Sequence, residues 1–269
     1  MNSIVEIDDE RVEKFITCTL ACHSKVKTLL IIGSAAHGEL TKYSDIDGVM
    51  LTEASEKDVI SELEEDFNEL AAKRFGKSGG NEFYSPHWSL FIYPEKAFTD
   101  KSIFSEYCPL PLEFTLYNLK HNSKLVFGQD ARKDISVKYN EGLIDEWLSF
   151  APKYHLTQSE IMINNGEDLR KSTYALSRAI LQTARGVAWK EDKNTSSSYE
   201  SIVQSMKKLE HHSTNLAEWA LEKRRKDFES TIRETKSKLK PAENFLDNTL
   251  KRYVQIKRRR CPYSSQKKR

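Results

Sequence analysis

The fold is decided by one stretch of sequence, VKTLLIIGSAAHGELTKYSDIDGVML, which occupies residues 26–51. Its first seven residues, 26–32, form an apolar run with the length and composition of a buried strand. A turn of small residues follows at Gly33 and Ser34, and a second apolar run begins at residues 47–51. The stretch therefore predicts two strands joined by a small-residue turn, which begins a short helix, and a loop.

Two carboxylates open the second strand. Asp45 and Asp47 are two residues apart, and because alternate residues of a strand share a face, both side chains can reach one point beside the sheet. Neighbouring carboxylates repel each other unless a cation lies between them, and Mg²⁺ is the oxygen-seeking ion that usually brings a substrate phosphate. A lone Asp-x-Asp is also a common surface turn. The preceding strand and the turn at Gly33 and Ser34, whose N–H groups suit phosphate, favour a nucleotide-handling site.

The segment from Leu30 to Asp47 resembles the signature of the DNA polymerase beta-like nucleotidyltransferase superfamily. In layout it is most similar to the small-molecule-modifying branch, which contains the aminoglycoside adenylyltransferases. Two later segments agree in order. Residues 124–130 are similar to the strand and glycine that close the family's catalytic domain, and residues 174–190 resemble a helix, a turn and a lysine of its helical domain.

The resemblance implies a metal-dependent enzyme that transfers a nucleoside monophosphate, AMP, from a nucleoside triphosphate to a hydroxyl of a small-molecule acceptor. It implies that Asp45 and Asp47 are catalytic and hold the metal, as one Mg²⁺ ion or two. It also implies that Gly33, Ser34 and Lys190 bind the nucleotide. In such chemistry the protein contributes mainly positioning and electrostatic stabilisation.

Positive side chains of the later helices are further candidates for phosphate contacts. Arg178, Arg185 and Lys190 could face the triphosphate or the acceptor across a cleft between two halves of the chain. The alternative for each of them is a place on a solvated helix face.

The expected third carboxylate of the family is missing from its strand. Residues 87–91, HWSLF, contain no acid. Glu113 and Glu82 are weaker candidates for that ligand, and His87 is a candidate general base if it faces the site. Loss of the third ligand would weaken metal binding, so the enzyme could be slow, unusually built or catalytically inactive.

Composition excludes several other classes of protein. The chain has 269 residues with 30% charged side chains, and it contains no apolar run near the roughly 18 residues of a membrane span. The N-terminal segment is not that of a signal peptide. Its four cysteines lack the spacing of a zinc site, and we expect them to be reduced thiols of a soluble, cytoplasmic protein.

The order of elements predicts an α+β fold. We expect a nucleotidyltransferase catalytic domain over residues 1–135, with helices on a small mixed sheet, and an all-α domain over residues 136–250. Within the latter, residues 214–240 are expected to form one charged helix that Pro241 ends. Residues 251–269 contain nine basic residues and no acid, which predicts a flexible basic tail.

Three functions remain open at this stage. The first is nucleotidyl transfer to a small hydroxylated acceptor. The second is transfer to a protein or RNA, where the basic tail contacts a polyanion. The third is a degenerate nucleotide-binding regulatory protein that keeps the fold without turnover.

Overall fold

The computed structural model describes residues 9–22, 25–75, 86–108 and 110–254. Most of the basic tail and Glu82 lie outside the described residues. The elements in chain order are α1 (Glu10–Cys22), β1 (Val26–Ile32), α2 (Gly33–Ala36), β2 (Ile46–Thr52), α3 (Lys57–Phe75), β3 (Trp88–Pro94), α4 (Lys101–Tyr107), α5 (Leu112–Asn122), β4 (Lys124–Gly128), α6 (Asp145–Asn164), α7 (Leu169–Glu191), α8 (Tyr199–Lys208), α9 (Thr214–Arg225) and α10 (Ile232–Tyr253). The predicted α+β fold, a small sheet followed by helices, is confirmed.

The four strands form one mixed sheet in the order β3-β2-β1-β4. Strand β1 pairs antiparallel with both β2 and β4, whereas β2 and β3 run parallel. The central position of β1 explains its continuous apolar sequence, because a strand with neighbours on both edges and cover on both faces is buried throughout. The four central residues of β1, Thr28 to Ile31, are each at most 1% exposed.

Alternation along β1 and β2 divides the core into two layers. Leu29 and Met50 point to one face, where they pack with Phe15 of α1 and the buried side chains of α3. Leu30 and Val49 point to the other face, where they belong to one apolar cluster with residues of α5, α6 and α7. Since Asp45 and Asp47 share the parity of Val49, the period of the strand turns both carboxylates toward the helical half of the chain.

Helix α7 is the central element of the helical half. It is buried along nearly its whole length and packs against α6, α8, α9 and α10. Near its end Gly186 permits a close approach of α6, because a Cβ there would lie 2.7 Å from the side chain of Leu148. The fully buried Trp189 belongs to the cluster beneath the sheet, so the two halves share one apolar core.

The helix expected over residues 214–240 is wrong in its boundaries. Helix α9 ends at Arg225, and Pro241 lies inside α10 instead of ending a helix. The chain leaves the helix because Asp227 and Phe228 have positive φ angles of 48° and 60°. This turn buries Phe228 completely and stacks its ring on that of Tyr174, with centroids 4.6 Å apart. Packing of one aromatic ring therefore overrides the local helical pattern.

None of the helices in the described ranges is both long enough and apolar enough to cross a lipid bilayer.

Candidate nucleotide site

The turn between β1 and α2 brings the main chain close to the carboxylates. Gly33 has a φ of +66°, a conformation that side chains with a Cβ rarely adopt. A Cβ on Gly33 would lie 3.5 Å from Oδ2 of Asp47, so the glycine leaves room directly over that carboxylate. Ser34 follows in the first turn of α2, and both residues line the same cavity as Asp45 and Asp47. The structure thus brings together four of the five site residues predicted from the sequence.

Asp47 is held inside the sheet. Its register partners are Ile32 on β1 and Ser89 on β3, and the Ser89 hydroxyl donates a hydrogen bond to its carboxylate. Burial, followed by the charge of Asp45, raises the pKa of Asp47 to about 8. The charge of Arg178 and the Ser89 hydrogen bond oppose this shift but do not outweigh burial and the nearby Asp45. A divalent ion between Asp45 and Asp47 would favour the ionised form of both side chains.

The donor set fits Mg²⁺ with few protein ligands. Asp47 of β2 and Asp45, directly before that strand, face one cavity, and Mg²⁺ is commonly held by one or two carboxylates together with substrate phosphates and water. Within the ranges that the structure describes, no group of three or more His, Cys, Asp or Glu side chains is placed to hold a metal. A metal at Asp45 and Asp47 would therefore complete its shell with oxygen atoms of water or of a substrate.

The structure also shows which residues take the place of the expected third acid. The position on β3 beside Asp47 is Ser89, whose side chain is a hydroxyl. Glu113 lies on the first turn of α5, is exposed, and pairs with Lys101 at 2.7 Å. His87 approaches the carboxylates: its Nε2 atom lies 4.0 Å from Oδ2 of Asp45. Of the candidates in the described residues, only His87 is next to the carboxylates.

Helix α7 supplies a positive wall opposite the carboxylates. Arg178, Gln182 and Arg185 are spaced i, i+4 and i+7, which places them on one helix face, and all three line the cavity of about 200 Å³. Burial lowers the pKa of Arg178, but the surrounding Tyr174, Asp45, Tyr199 and Asp47 outweigh it and raise that pKa. The charge of Arg178 is thus balanced in part by the two carboxylates.

Arg185 is buried without such a balance. Its side chain donates a hydrogen bond to Oδ1 of Asn118, and its guanidinium lies over the rings of Phe114 and Trp147, 5.2 and 5.5 Å from their centroids. Its Nε atom has no hydrogen-bond partner. Burial lowers the pKa of Arg185 to about 10.

Arg224 of α9 completes the wall from the far side. It donates a hydrogen bond from Nη2 to the carbonyl oxygen of Glu39 at 2.6 Å and stacks over the ring of Tyr199, 4.9 Å from its centroid. Its buried Nε atom and the buried Oε1 atom of Gln182 are also unpartnered. Several buried polar atoms of residues around one cavity thus have unmet hydrogen-bonding capacity.

Lys190, the fifth predicted residue, does not line this cavity. It lies at the end of α7, where its Nζ atom pairs with Oδ1 of Asp145 at 2.5 Å. It is five residues beyond Arg185, so it projects from a different face of the helix. The basic groups that the cavity contains are the three arginines.

Sequence reasoning named two of these arginines and missed the rest of the wall. The spacing of Arg178, Gln182 and Arg185 was a usable signal. Arg224 and Tyr199 come from segments that only the packing of α8 and α9 against α7 brings to the cavity, and their local sequence carries no signal for it. Three further lining residues were also missed, namely Trp147, Tyr174 and Ser197.

The comparisons with known proteins agree with this geometry. Residues 12–108 match the family model of the nucleotidyltransferase domain. The structure is similar to that of spectinomycin adenyltransferase AAD(9) from Enterococcus faecialis, solved with ATP and spectinomycin, with a TM-score of 0.50 and 16% sequence identity over 90% of this chain and 97% of that one. No curated protein matches the sequence.

The resemblance predicted from the Gly-Ser turn and the Asp-x-Asp strand is therefore confirmed, and so is the enzyme class at the level of the domain family. Residues 12–108 thus match the model of the nucleotidyltransferase domain, and the chain shares its overall fold with a spectinomycin adenyltransferase.

Proposed function

We propose that this protein transfers AMP from ATP to a hydroxyl of a small-molecule acceptor, with Mg²⁺ held by Asp45 and Asp47. One observation carries the proposal. A single cavity joins the glycine turn and two carboxylates of the sheet to three arginines of the helical half. The carboxylates suit a metal, and the arginines suit the phosphates that accompany it.

The reaction needs a nucleophile, a leaving group and a place for one proton. The acceptor oxygen bonds to the α-phosphorus of ATP, the bond from that phosphorus to the bridging oxygen breaks, and pyrophosphate leaves. Mg²⁺, when bound at Asp45 and Asp47, would supply positive charge that offsets the negative charge on the attacking and leaving oxygens. His87, beside Asp45, is the group placed to accept the hydroxyl proton.

The remaining residues bind and orient the nucleotide. Gly33 allows close approach of the main chain, and Ser34 offers a backbone N–H and a hydroxyl to the β- and γ-phosphates. The three arginines offset the negative charge of the triphosphate and the charge that develops on pyrophosphate as the bond breaks.

The proposal is tested by pyrophosphate release. The protein is incubated with ATP, Mg²⁺ and a panel of hydroxylated acceptors, with Asp45→Asn as the inactive variant and Asp66→Asn as the matched control on the exposed face of α3. We expect acceptor-dependent release that Asp45→Asn abolishes and Asp66→Asn leaves unchanged. Absence of release with every nucleotide and acceptor would contradict the proposal.

A second candidate function follows from Ser89. Because Ser89, a hydroxyl, stands beside Asp47, the described residues supply only two metal-binding carboxylates, and the protein could bind nucleotide without turning it over. Calorimetry separates the two functions. Binding of MgATP with no product under any acceptor condition favours a nucleotide-binding regulatory protein over an enzyme.

A further inference from the structure

A loop of the nucleotidyltransferase half reaches across to the first turn of α8. Glu39 follows α2 by three residues, and its carboxylate accepts three hydrogen bonds from the start of that helix. The Ser198 hydroxyl donates to Oε1 at 2.6 Å, the Tyr199 N–H to Oε2 at 3.0 Å, and the Glu200 N–H to Oε1 at 3.2 Å. A side chain about 160 residues away in sequence therefore caps this helix.

The main chain of Glu39 makes two further contacts. Its N–H donates to the carbonyl oxygen of Ser34 at 2.9 Å, and its own carbonyl oxygen accepts the hydrogen bond from Arg224. Beside it, Nε2 of His37 lies 2.5 Å from the hydroxyl of Ser197. One residue thus links the glycine turn, the start of α8 and an arginine of the cavity wall.

These contacts are of the strong kind. The first N–H groups of a helix have no partner within the helix, and the positive end of its dipole faces a negative charge. Hydrogen bonds from such groups to a carboxylate are charge-assisted. Glu39 does not line the nucleotide cavity itself. Its partners Tyr199 and Arg224 do, and so does Ser197, the partner of His37.

We propose that Glu39 is a positioning residue, which places Tyr199 and Arg224 over the nucleotide cavity by tying α8 and α9 to the phosphate-binding turn. This inference rests on the proposed function for its effect on nucleotide binding. Without the tie, the cavity wall is correctly placed in only a fraction of the molecules. The apparent dissociation constant for nucleotide then equals the intrinsic one divided by that fraction.

The test compares Glu39→Gln with Thr231→Ala. Thr231 caps α10 through its side chain, outside the cavity, so its loss removes a helix cap elsewhere in the helical half without touching the tie. We measure the dissociation constant for a non-hydrolysable ATP analogue, KM and kcat, and hydrogen exchange at the Tyr199 and Glu200 amides. Glu39→Gln should raise the dissociation constant and KM about 5- to 10-fold with kcat within about twofold, and it should speed exchange at both amides. Thr231→Ala should leave all of these unchanged.

The outcomes separate this inference from the proposed function. An unchanged dissociation constant in Glu39→Gln, or an equal change in Thr231→Ala, overturns the positioning role. If the wild-type protein binds no nucleotide, the proposed function fails, and the exchange measurement still decides the tie. Faster exchange at Tyr199 and Glu200 in Glu39→Gln then supports it, and unchanged exchange overturns it.

Discussion

Arg185 offers a prediction in which stability and ligand binding move in opposite directions. Arg185 is only 8% exposed, and among the described residues its guanidinium has the amide oxygen of Asn118 and two aromatic rings as partners but no carboxylate. A buried charge that lacks an opposite charge is unfavourable until a ligand supplies one. Replacement by a side chain of similar length without charge, Arg185→Met, removes this unfavourable interaction.

The magnitude follows from the pKa. Burial lowers the pKa of Arg185 from its ordinary value to about 10, which corresponds to roughly 3 kcal/mol of unfavourable free energy for keeping the charge there. The variant loses ring contacts worth about 1 kcal/mol. Asn118 keeps a hydrogen bond from Nδ2 of Asn122, so its oxygen is not left without a partner. We therefore expect Arg185→Met to raise the free energy of unfolding of the nucleotide-free protein by about 1–2 kcal/mol.

Nucleotide binding is expected to change in the other direction. A charge-assisted contact to phosphate contributes about 1.5–3 kcal/mol, so the dissociation constant for MgATP should rise at least about tenfold. Urea unfolding without nucleotide measures the first effect, and calorimetry measures the second. The control is Arg132→Met. Arg132 forms a close pair with Asp130, with Nε and Oδ1 2.6 Å apart, so this variant should be destabilised with no change in nucleotide affinity.

A destabilised Arg185→Met variant with unchanged affinity would refute the reasoning. That result would mean that the arginine serves the packing between α5, α6 and α7 and that the cavity does not receive the phosphates on this side.

Three further predictions concern other groups of the site and its surroundings. Burial lowers the pKa of His155 to about 2, so the folded protein does not take up the proton that the unfolded chain accepts below pH 6.5. The free energy of unfolding therefore falls as the pH falls through 6.5, by about 2 kcal/mol at pH 5. A His155→Leu variant should lack this part of the pH dependence in urea titrations at pH 7.5 and 5.0. Because the pKa of Asp47 is raised, the stability of the metal-free protein falls as the pH rises from about 4 to 8. Asp47→Asn should therefore be more stable than the wild type in thermal melts at pH 8 with chelator, yet inactive in pyrophosphate release. Equal or lower stability of the variant would contradict this prediction. Gly33 and Gly38 both have positive φ, 66° and 68°, but only a Cβ on Gly33 meets Asp47, so both alanine variants should lose about 1 kcal/mol in melts while Gly33→Ala alone weakens MgATP binding; equal binding by both would show that the space over Asp47 is not used.

Local patterns were sufficient for the sheet and for the carboxylates. The apolar run of β1, the small-residue turn and the period of β2 are properties of neighbouring residues, and they determine which side chains share a face. They placed Gly33, Ser34, Asp45 and Asp47 together, and the structure has all four around one cavity. The spacing of Arg178 and Arg185 carried similar information for one face of α7.

Tertiary contacts decided the remainder. Lys190 has a local sequence as suggestive as that of Arg185, but Asp145 pairs with it elsewhere, and a partner more than 40 residues away is invisible to periodicity. The break after α9 and the continuation of α10 through Pro241 depend on the stacking of Phe228 on Tyr174. Glu39 and Arg224 meet because two halves of the chain pack on one core. The amino-acid sequence by itself therefore determined the strand period and the two acids at the sheet, and it indicated Arg178 and Arg185 on one face of α7. Long-range packing decided that these arginines and Arg224 line the cavity while Lys190 does not, because burial and ion pairing depend on segments distant in the chain.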